Sequence, residues 1–414
     1  MRAASTRTDV ELVILLALLA AIGPLSIDTY LPAMPAIAVD LQVTSAVIEQ
    51  SLSAYFLGLA AGQIICGPLS DRFGRRPILY GGLALFLPAT VACVVAPTAH
   101  MLIIGRAVQG LGASAMPAAS RAIVRDLWSG NRAARAMSFV MMAMAFAPII
   151  APLLGGQIFV HMGWRAIFWL MFAFALMLVA LVALRLPETN GPGRRAQVRL
   201  LDYFTAYRFV LSSARGWAYL LAGGLSYASL FSYIIGSPYV YIEFFGVRPD
   251  VFGLYFGLNI VGLTLGNWLN SRFVTRWGYL RMLGAGILVS IVGSLTLLLL
   301  ALTETGGLAA VVLALFVAVA PVSMSGANAI AGLLDRYPNN AGAASALFGV
   351  SQFGLGAVAG VLTGLFHAHN AAAMAGSMSI MAVGAALAWF GLWWRYRYVA
   401  SAQPPEDPAA RAAP

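Results

Sequence analysis

Apolar runs of about twenty residues follow one another along almost the whole of this chain, separated by short polar turns. A helix of roughly 20 residues crosses the ~30 Å hydrocarbon core of a bilayer, whereas a barrel strand needs only about ten and alternates apolar with polar. The runs fall at 12–34, 47–69, 77–96, 101–123, 134–159 and 164–186, then at 217–241, 251–270, 280–302, 308–333, 341–366 and 371–394. They predict an all-α polytopic membrane protein with twelve transmembrane helices. Charge agrees with this: 10% of the 414 residues are charged and 61% hydrophobic, too few charges to cover a soluble globule of this length.

Orientation comes from the arginines, because lysine is absent and all 25 basic residues are arginine. Basic residues concentrate in cytoplasmic loops. With both termini in the cytoplasm, Arg2, Arg7, Arg72, Arg75, Arg76, Arg121, Arg125, Arg132, Arg135 and Arg185 fall inside, as do Arg194, Arg195, Arg199, Arg208, Arg215, Arg272, Arg276, Arg281, Arg336, Arg395, Arg397 and Arg411. Only Arg165 and Arg248 face out, and Arg106 lies within a span, so 22 of 25 agree with one even-numbered topology. The net charge of +10 is then a matter of topology and anionic lipid contact, with no nucleic-acid partner expected. The first apolar run exceeds the core of a signal peptide and is read as a retained helix. Cys66 and Cys93 lie in apolar spans, which leaves no disulfide framework and no metal-ligand spacing.

Six spans precede and six follow the longest polar stretch, 187–216, which carries Pro187, Gly191, Pro192, Gly193 and several arginines. The chain is thus expected to comprise a six-helix bundle at 1–186, a cytoplasmic linker at 187–216, a second bundle at 217–396 and a disordered cytoplasmic tail at 397–414. Duplication is visible at an offset of 200 residues: Tyr55, Phe56, Gly62, Leu69, Arg72, Phe73 and Arg76 match Tyr255, Phe256, Gly262, Leu269, Arg272, Phe273 and Arg276.

Function is written in the few polar residues. Asp28 reads as the only acid clearly inside a span, and a carboxylate at membrane depth is costly enough to mark an ion or substrate pathway. At ~1.5 Å per residue, Asp28 and Arg106 lie roughly 24 and 22 Å from the cytoplasmic ends of their helices, so they can pair. A pair whose separation changes could load and release a proton; a permanent structural ion pair and direct substrate contact are the other two readings. The loop Gly67-Pro68-Leu69-Ser70-Asp71-Arg72-Phe73-Gly74-Arg75-Arg76-Pro77 sets an acid, three arginines and a glycine turn at a cytoplasmic helix end. There Asp71 can sit against a neighbouring helix N-terminus and, with Arg72, Arg75 and Arg76, latch one conformation. Pro148, Pro152, Gly155 and Gly156 allow a kink and close backbone approach in the fifth span, whether to seal the pathway or simply to pack. Tyr30, Tyr55, Gln109, Tyr233, Tyr239, Asn259, Asn328 and Gln352 are candidates to line a substrate cavity, although Tyr239 and Tyr241 also suit an interfacial aromatic belt.

An intramembrane enzyme is the competing class, but no second aspartate or serine–histidine pair accompanies Asp28. The histidines His100, His161, His367 and His369 map to outward-facing loop ends. No nucleotide-binding motif is present, and no cofactor is expected.

Several of these motifs carry a family resemblance. The loop at 67–77 is similar to the G-x-L-x-D-R-x-G-R-R pattern of the major facilitator superfamily. Arg106-Ala107-Val108-Gln109-Gly110-Leu111-Gly112-Ala113 resembles the R-x-x-Q-G-x-G-A motif of its drug:proton antiporter branch. Ala147-Pro148-Ile149-Ile150-Ala151-Pro152-Leu153-Leu154-Gly155-Gly156 resembles that branch's G-x-x-x-G-P-x-x-G-G motif, with alanine for glycine at 147 and 151. Pro24-Leu25-Ser26-Ile27-Asp28-Thr29-Tyr30-Leu31-Pro32 and Ser237-Pro238-Tyr239-Val240-Tyr241-Ile242-Glu243 resemble the bicyclomycin/chloramphenicol-resistance (Bcr/CflA) family. The resemblance implies two pseudo-symmetric six-helix bundles and proton-driven export of small toxic compounds across a bacterial inner membrane by a monomer. A sugar or amino-acid exporter or symporter of the same fold is the alternative, against which the fifth-span motif weighs.

Overall fold

The computed structural model describes residues 2–190, 200–365 and 371–402, with side chains for 9–190, 203–365 and 371–394. Gly191, Pro192, Gly193, Arg194, Arg195, Arg199, His367, His369 and Arg411 lie outside the described residues, as do the side chains of Arg2, Arg7, Arg395 and Arg397. In the first half the helices are α1 (Arg2–Asp28), α2 (Met34–Asp40), α3 (Ser45–Phe73), α4 (Arg75–Val94), α5 (Ala99–Ala113), α6 (Ala115–Leu127), α7 (Gly130–Met162) and α8 (Trp164–Arg185). Then follow α9 (Leu200–Leu211), α10 (Ala214–Pro238), α11 (Pro249–Trp277), α12 (Tyr279–Thr303), α13 (Gly307–Val319), α14 (Val322–Arg336), α15 (Ala341–Leu365) and α16 (Ala372–Ala402). Eleven segments are long and apolar enough to cross a bilayer. The twelfth span is α5 with α6, divided at Ser114. Two features differ from expectation: α9 is a helix inside the linker, and α16 continues past 396 to Ala402, with 403–414 outside the described residues.

Four spans expected to be continuous are interrupted, and they are the first, fourth, seventh and tenth. The first breaks at Thr29–Tyr30 before a short 3₁₀ turn (Leu31–Ala33), the fourth at Ser114 and the tenth at Ala320–Pro321, while the seventh passes at Pro238 into a π-helical turn (Tyr239–Phe244). Each interruption involves a proline, Pro32, Pro117, Pro238 or Pro321, whose missing N–H frees the carbonyl four residues earlier. Pro24, Pro68, Pro88, Pro148 and Pro152 lie in helices that continue, so proline alone does not decide. At all four breaks another donor takes up a nearby carbonyl: Arg106 reaches Ser26 O at 3.1 Å, Ser114 Oγ reaches Leu111 O at 2.7 Å, Ser237 Oγ reaches Ile234 O at 3.2 Å and Ser290 Oγ reaches Ala318 O at 2.7 Å.

The same breaks correct the register of the duplication. Gly74 and Gly278, the left-handed residues (φ +108° and +77°) that end α3 and α11, are 204 residues apart. At that offset Gly62 and Gly266 face the interruptions of the fourth and tenth spans, a Cβ on them meeting Ser114 Oγ and Ala320 O. Gly82 and Gly286 approach those interruptions from the other side, against Ala115 and Ser325. The offset of 200 is one helical turn away and keeps the same helix face, which is why it produced identities.

Where the two halves touch, glycine lets backbones meet. α3 runs along α15, with Gly360 against Ser53 and Gly349 against Gln63. α7 packs on α11, with Gly156 against Pro249 O and Gly253 against Leu153 N. At the end predicted to be cytoplasmic, α6 and α14 share no packed seam among the described residues.

Candidate functional site

Asp28 is the last residue of α1, at the first-span break, and is 3% exposed. Its Oδ1 has no hydrogen-bond partner. The expected ion pair with Arg106 is absent: no Arg106 nitrogen lies within 4.0 Å of the Asp28 carboxylate. The two do share a depth, since Arg106 donates to the carbonyl of Ser26, two residues from Asp28. Arg106 is fully buried, with its guanidinium carbon 4.3 Å from the Tyr55 ring centroid and 4.9 Å from that of Tyr30. It also donates to Gln109 Oε1 at 2.5 Å. Two aromatic faces and two neutral acceptors therefore stabilise the cation, which leaves the Asp28 carboxylate uncommitted.

The candidate cavity residues divide. Tyr55 is buried with its hydroxyl unpartnered, within electrostatic reach of Asp28. Across the interface Tyr233 also feels Asp28, receives a hydrogen bond from Asn259 Nδ2 at 3.0 Å and stacks on Phe256. Asn259 Oδ1 and the Tyr241 hydroxyl are likewise buried without partners. Asp28, Tyr55, Tyr233 and Asn259 thus converge from both halves. Others do not join them. Gln109 turns inward, donating to Thr90 Oγ1 at 2.8 Å as it holds Arg106, and Tyr30 bonds Ser51 Oγ at 2.9 Å. Asn328 is engaged by Asn270 and Met324 O, and Gln352 is half-buried on α15. Tyr239 lines a small cleft with Glu49 and Glu243 at the end predicted to be external. Glu49, 7% exposed on α3, is a second buried acid beside Asp28, contrary to expectation.

In the fifth span Pro148 and Pro152 lie inside an unbroken 33-residue helix. Gly155 sits so close to α1 that a Cβ would stand 2.0 Å from Thr29 O, one residue beyond Asp28. α7 is therefore wedged between the Asp28 break and α11.

The loop at 67–77 forms a different network from the one expected. Arg75 is its centre: it donates to Asp71 Oδ1 at 2.7 Å, to Asp126 at 2.8 and 3.3 Å and to Ser70 Oγ at 2.9 Å. Arg72 and Arg76 do not reach Asp71; Arg72 lies over the Phe73 ring, and Arg76 bonds Tyr80 Oη and Ala183 O. The acid that caps a helix N-terminus here is Glu188, which accepts from the backbone N–H of Arg75 at 2.9 Å and Arg76 at 3.0 Å, the first residues of α4. The linker adds more: Thr189 Oγ1 donates to Asp126 at 2.9 Å, Asn190 Nδ2 to Asp71 O at 2.9 Å and Tyr203 of α9 to Asp71 Oδ2 at 2.6 Å. Burial and the Asp71 carboxylate push the Tyr203 phenol up, keeping it a donor. Burial alone would raise the Asp126 carboxyl, yet Arg75 and Thr189 hold it below its ordinary value. Gly67 has nothing within 4 Å of a Cβ, whereas at Gly74 a Cβ would stand 2.8 Å from Glu188 Oε2. Sequence reasoning missed Glu188, Thr189, Asn190 and Tyr203 because their partners are more than 60 residues away in sequence; the polar cluster at the linker's start was the available signal.

Broken helices around a buried, uncommitted carboxylate, with two halves in contact through glycine, define a polytopic membrane transporter. The Major Facilitator Superfamily model matches residues 16–361, and the chain belongs to that superfamily. It is 33% identical over 383 residues to an uncharacterized MFS-type transporter, YdgK, of Bacillus subtilis (strain 168), covering 92% of this chain and 95% of that protein. It is also 33% identical over 382 residues to a bicyclomycin resistance protein homolog of Haemophilus influenzae, with the same coverage. A crystal structure of a D-xylose-proton symporter superposes with a TM-score of 0.74 at 18% identity, covering 93% of this chain and 97% of that one, a likeness of fold. The chain is a multi-pass transporter of small molecules, not an enzyme.

Proposed function

We propose that this chain is a proton-coupled exporter of small toxic compounds, bicyclomycin- or chloramphenicol-like antibiotics among them, in a bacterial inner membrane. The observation that carries the reading is the buried, unpaired Asp28 carboxylate at the first-span break, within electrostatic reach of Tyr233 of the other half. Such a group is costly unless a proton or a ligand satisfies it in turn. The name of the Haemophilus relative supports a drug as the ligand.

In this account Asp28 carries the proton, and Arg106, fixed between Tyr30 and Tyr55, sets the potential around it. Tyr55, Tyr233 and Asn259, with Tyr241, offer polar atoms and aromatic faces to the substrate. Bundles 1–186 and 217–396 rock about the α3–α15 and α7–α11 contacts as a monomer, with both termini cytoplasmic. Asp71, Arg75 and Asp126, clasped by the linker 187–216, latch the cytoplasmic end, and Gly155 and Gly156 keep α7 tight against leak.

The test is proton movement evoked by adding drugs to liposomes containing the purified protein under a pH gradient. Bicyclomycin or chloramphenicol should release protons in step with drug flux. Flux evoked only by sugars or amino acids would overturn the drug reading.

A further inference from the structure

The outer contact holds a pair of acids that the account above leaves unused. Glu49 lies on the first turns of α3, 7% exposed, and its carboxylate makes no hydrogen bond or ion pair among the described residues. It lines a small cleft with Glu243, which comes from the π-helical turn after α10 in the other half. The cleft is completed by Met34, Pro35, Ser45, Ile235, Pro238 and Tyr239. Ser45, one turn before Glu49 on the same helix face, donates to Glu243 Oε1 at 2.5 Å. The Glu243 carboxylate is thus held within about a helical turn of that of Glu49, across the interface between halves.

Among the described residues, the charged groups around the pair do not neutralise it. On α2, Asp40 is committed to Trp164 and Arg165; beyond the π turn, Arg248 is committed to Asp250. On α15, Gly364 lies against Glu49, a Cβ on it standing 3.8 Å from Glu49 Oε2, and His367 and His369 lie outside the described residues. α3 contributes hydroxyls, Ser45 to Glu243 and Ser53 to the backbone of Glu49, and the π-helical turn contributes Tyr239 to the cleft. Two carboxylates this close, one of them buried and the other at the exposed rim, repel each other while the halves touch, so the contact favours a proton shared at the pair.

We propose that Glu49 and Glu243 form a second proton-binding site, separate from Asp28, that closes the outer end when protonated. The bound proton comes from water on the outer side and returns there when the halves part. The closed state therefore holds more protons than the open one, and acid favours closure. For one proton the closed-to-open ratio falls by up to tenfold per pH unit. Acid outside would then turn an emptied exporter inward, the direction in which a proton gradient has to drive it. The site rests on the alternating-access reading but not on the role of Asp28.

The experiment is a spin-label distance between Val39→Cys on α2 and Leu365→Cys on α15, both largely exposed, in lipid nanodiscs from pH 5 to 9 without substrate. The native cysteines are buried. The distance should lengthen as pH rises, by the same titration in an Asp28→Asn background. Glu49→Gln should abolish the titration and leave the short distance at all pH values. Glu243→Gln, which removes only the repulsion, should move opening to higher pH. A wild-type distance independent of pH, or an unchanged titration in both variants, overturns the proposal. A titration lost with Asp28→Asn instead assigns it to the central carboxylate and equally overturns it.

Discussion

Replacing Gly74 by alanine tests how the loop and the linker are joined. Gly74 sits at φ +108° and ψ 168°, a region open essentially to glycine alone, where another residue costs about 1–3 kcal/mol. The new Cβ would also stand 2.8 Å from Glu188 Oε2, displacing the carboxylate that caps α4, and a lost cap adds about 0.5–2 kcal/mol. Together the loss is about 1.5–5 kcal/mol. Two controls separate these parts. Gly278→Ala has the same kind of backbone (φ +77°, ψ 154°) with nothing within 4 Å, so only the strain of about 1–3 kcal/mol applies. Gly67→Ala lies inside α3 in open space and should gain about 0.5–1 kcal/mol. The measurement is reversible unfolding in mixed micelles. In a Glu188→Ala background the cost of Gly74→Ala should shrink to that of Gly278→Ala. Equal costs at positions 67 and 74, or no coupling to Glu188, would refute the reasoning.

Arg106→Lys should lower the initial transport rate about 10–100-fold in a protein that still folds, because a lysine ammonium cannot lie flat between Tyr30 and Tyr55 while reaching both Ser26 and Gln109. A wild-type rate would show that the stacked geometry is dispensable. The Asp126 carboxyl binds its proton more weakly folded than unfolded, so its stabilisation is complete at neutral pH and is lost as pH falls through its lowered value. Thermal stability should therefore drop below the ordinary carboxylate range in the wild type, and Asp126→Asn should remove that component; an identical acid limb in the variant would contradict it.

Length and apolarity were enough to read the twelve spans, since only a helix satisfies its own backbone in lipid. The breaks were not read, because proline both interrupts and continues helices here: Pro24 lies in an intact helix, whereas a break precedes Pro32 only eight residues later. Asp28 and Arg106 were found by the cost of charge at membrane depth. Their pairing was not borne out because the aromatic faces of Tyr30 and Tyr55 compete for the cation, and such stacking has no sequence spacing. The loop motif singled out Asp71 and Arg75 but not their partners, since Asp126, Glu188 and Tyr203 reach them only through the fold. The duplication was visible, but one turn out of register, because identity counts the residues and not the glycine turns that set the helix ends.

The most direct test of the central claim, that Asp28 is the proton carrier, compares wild type with Asp28→Asn in liposomes by two assays on one preparation. Gradient-driven drug accumulation requires the proton to be loaded and released, whereas drug-for-drug exchange without a gradient requires only alternating access. The account predicts that Asp28→Asn loses accumulation and keeps exchange. Accumulation equal to the wild type in the variant would contradict it.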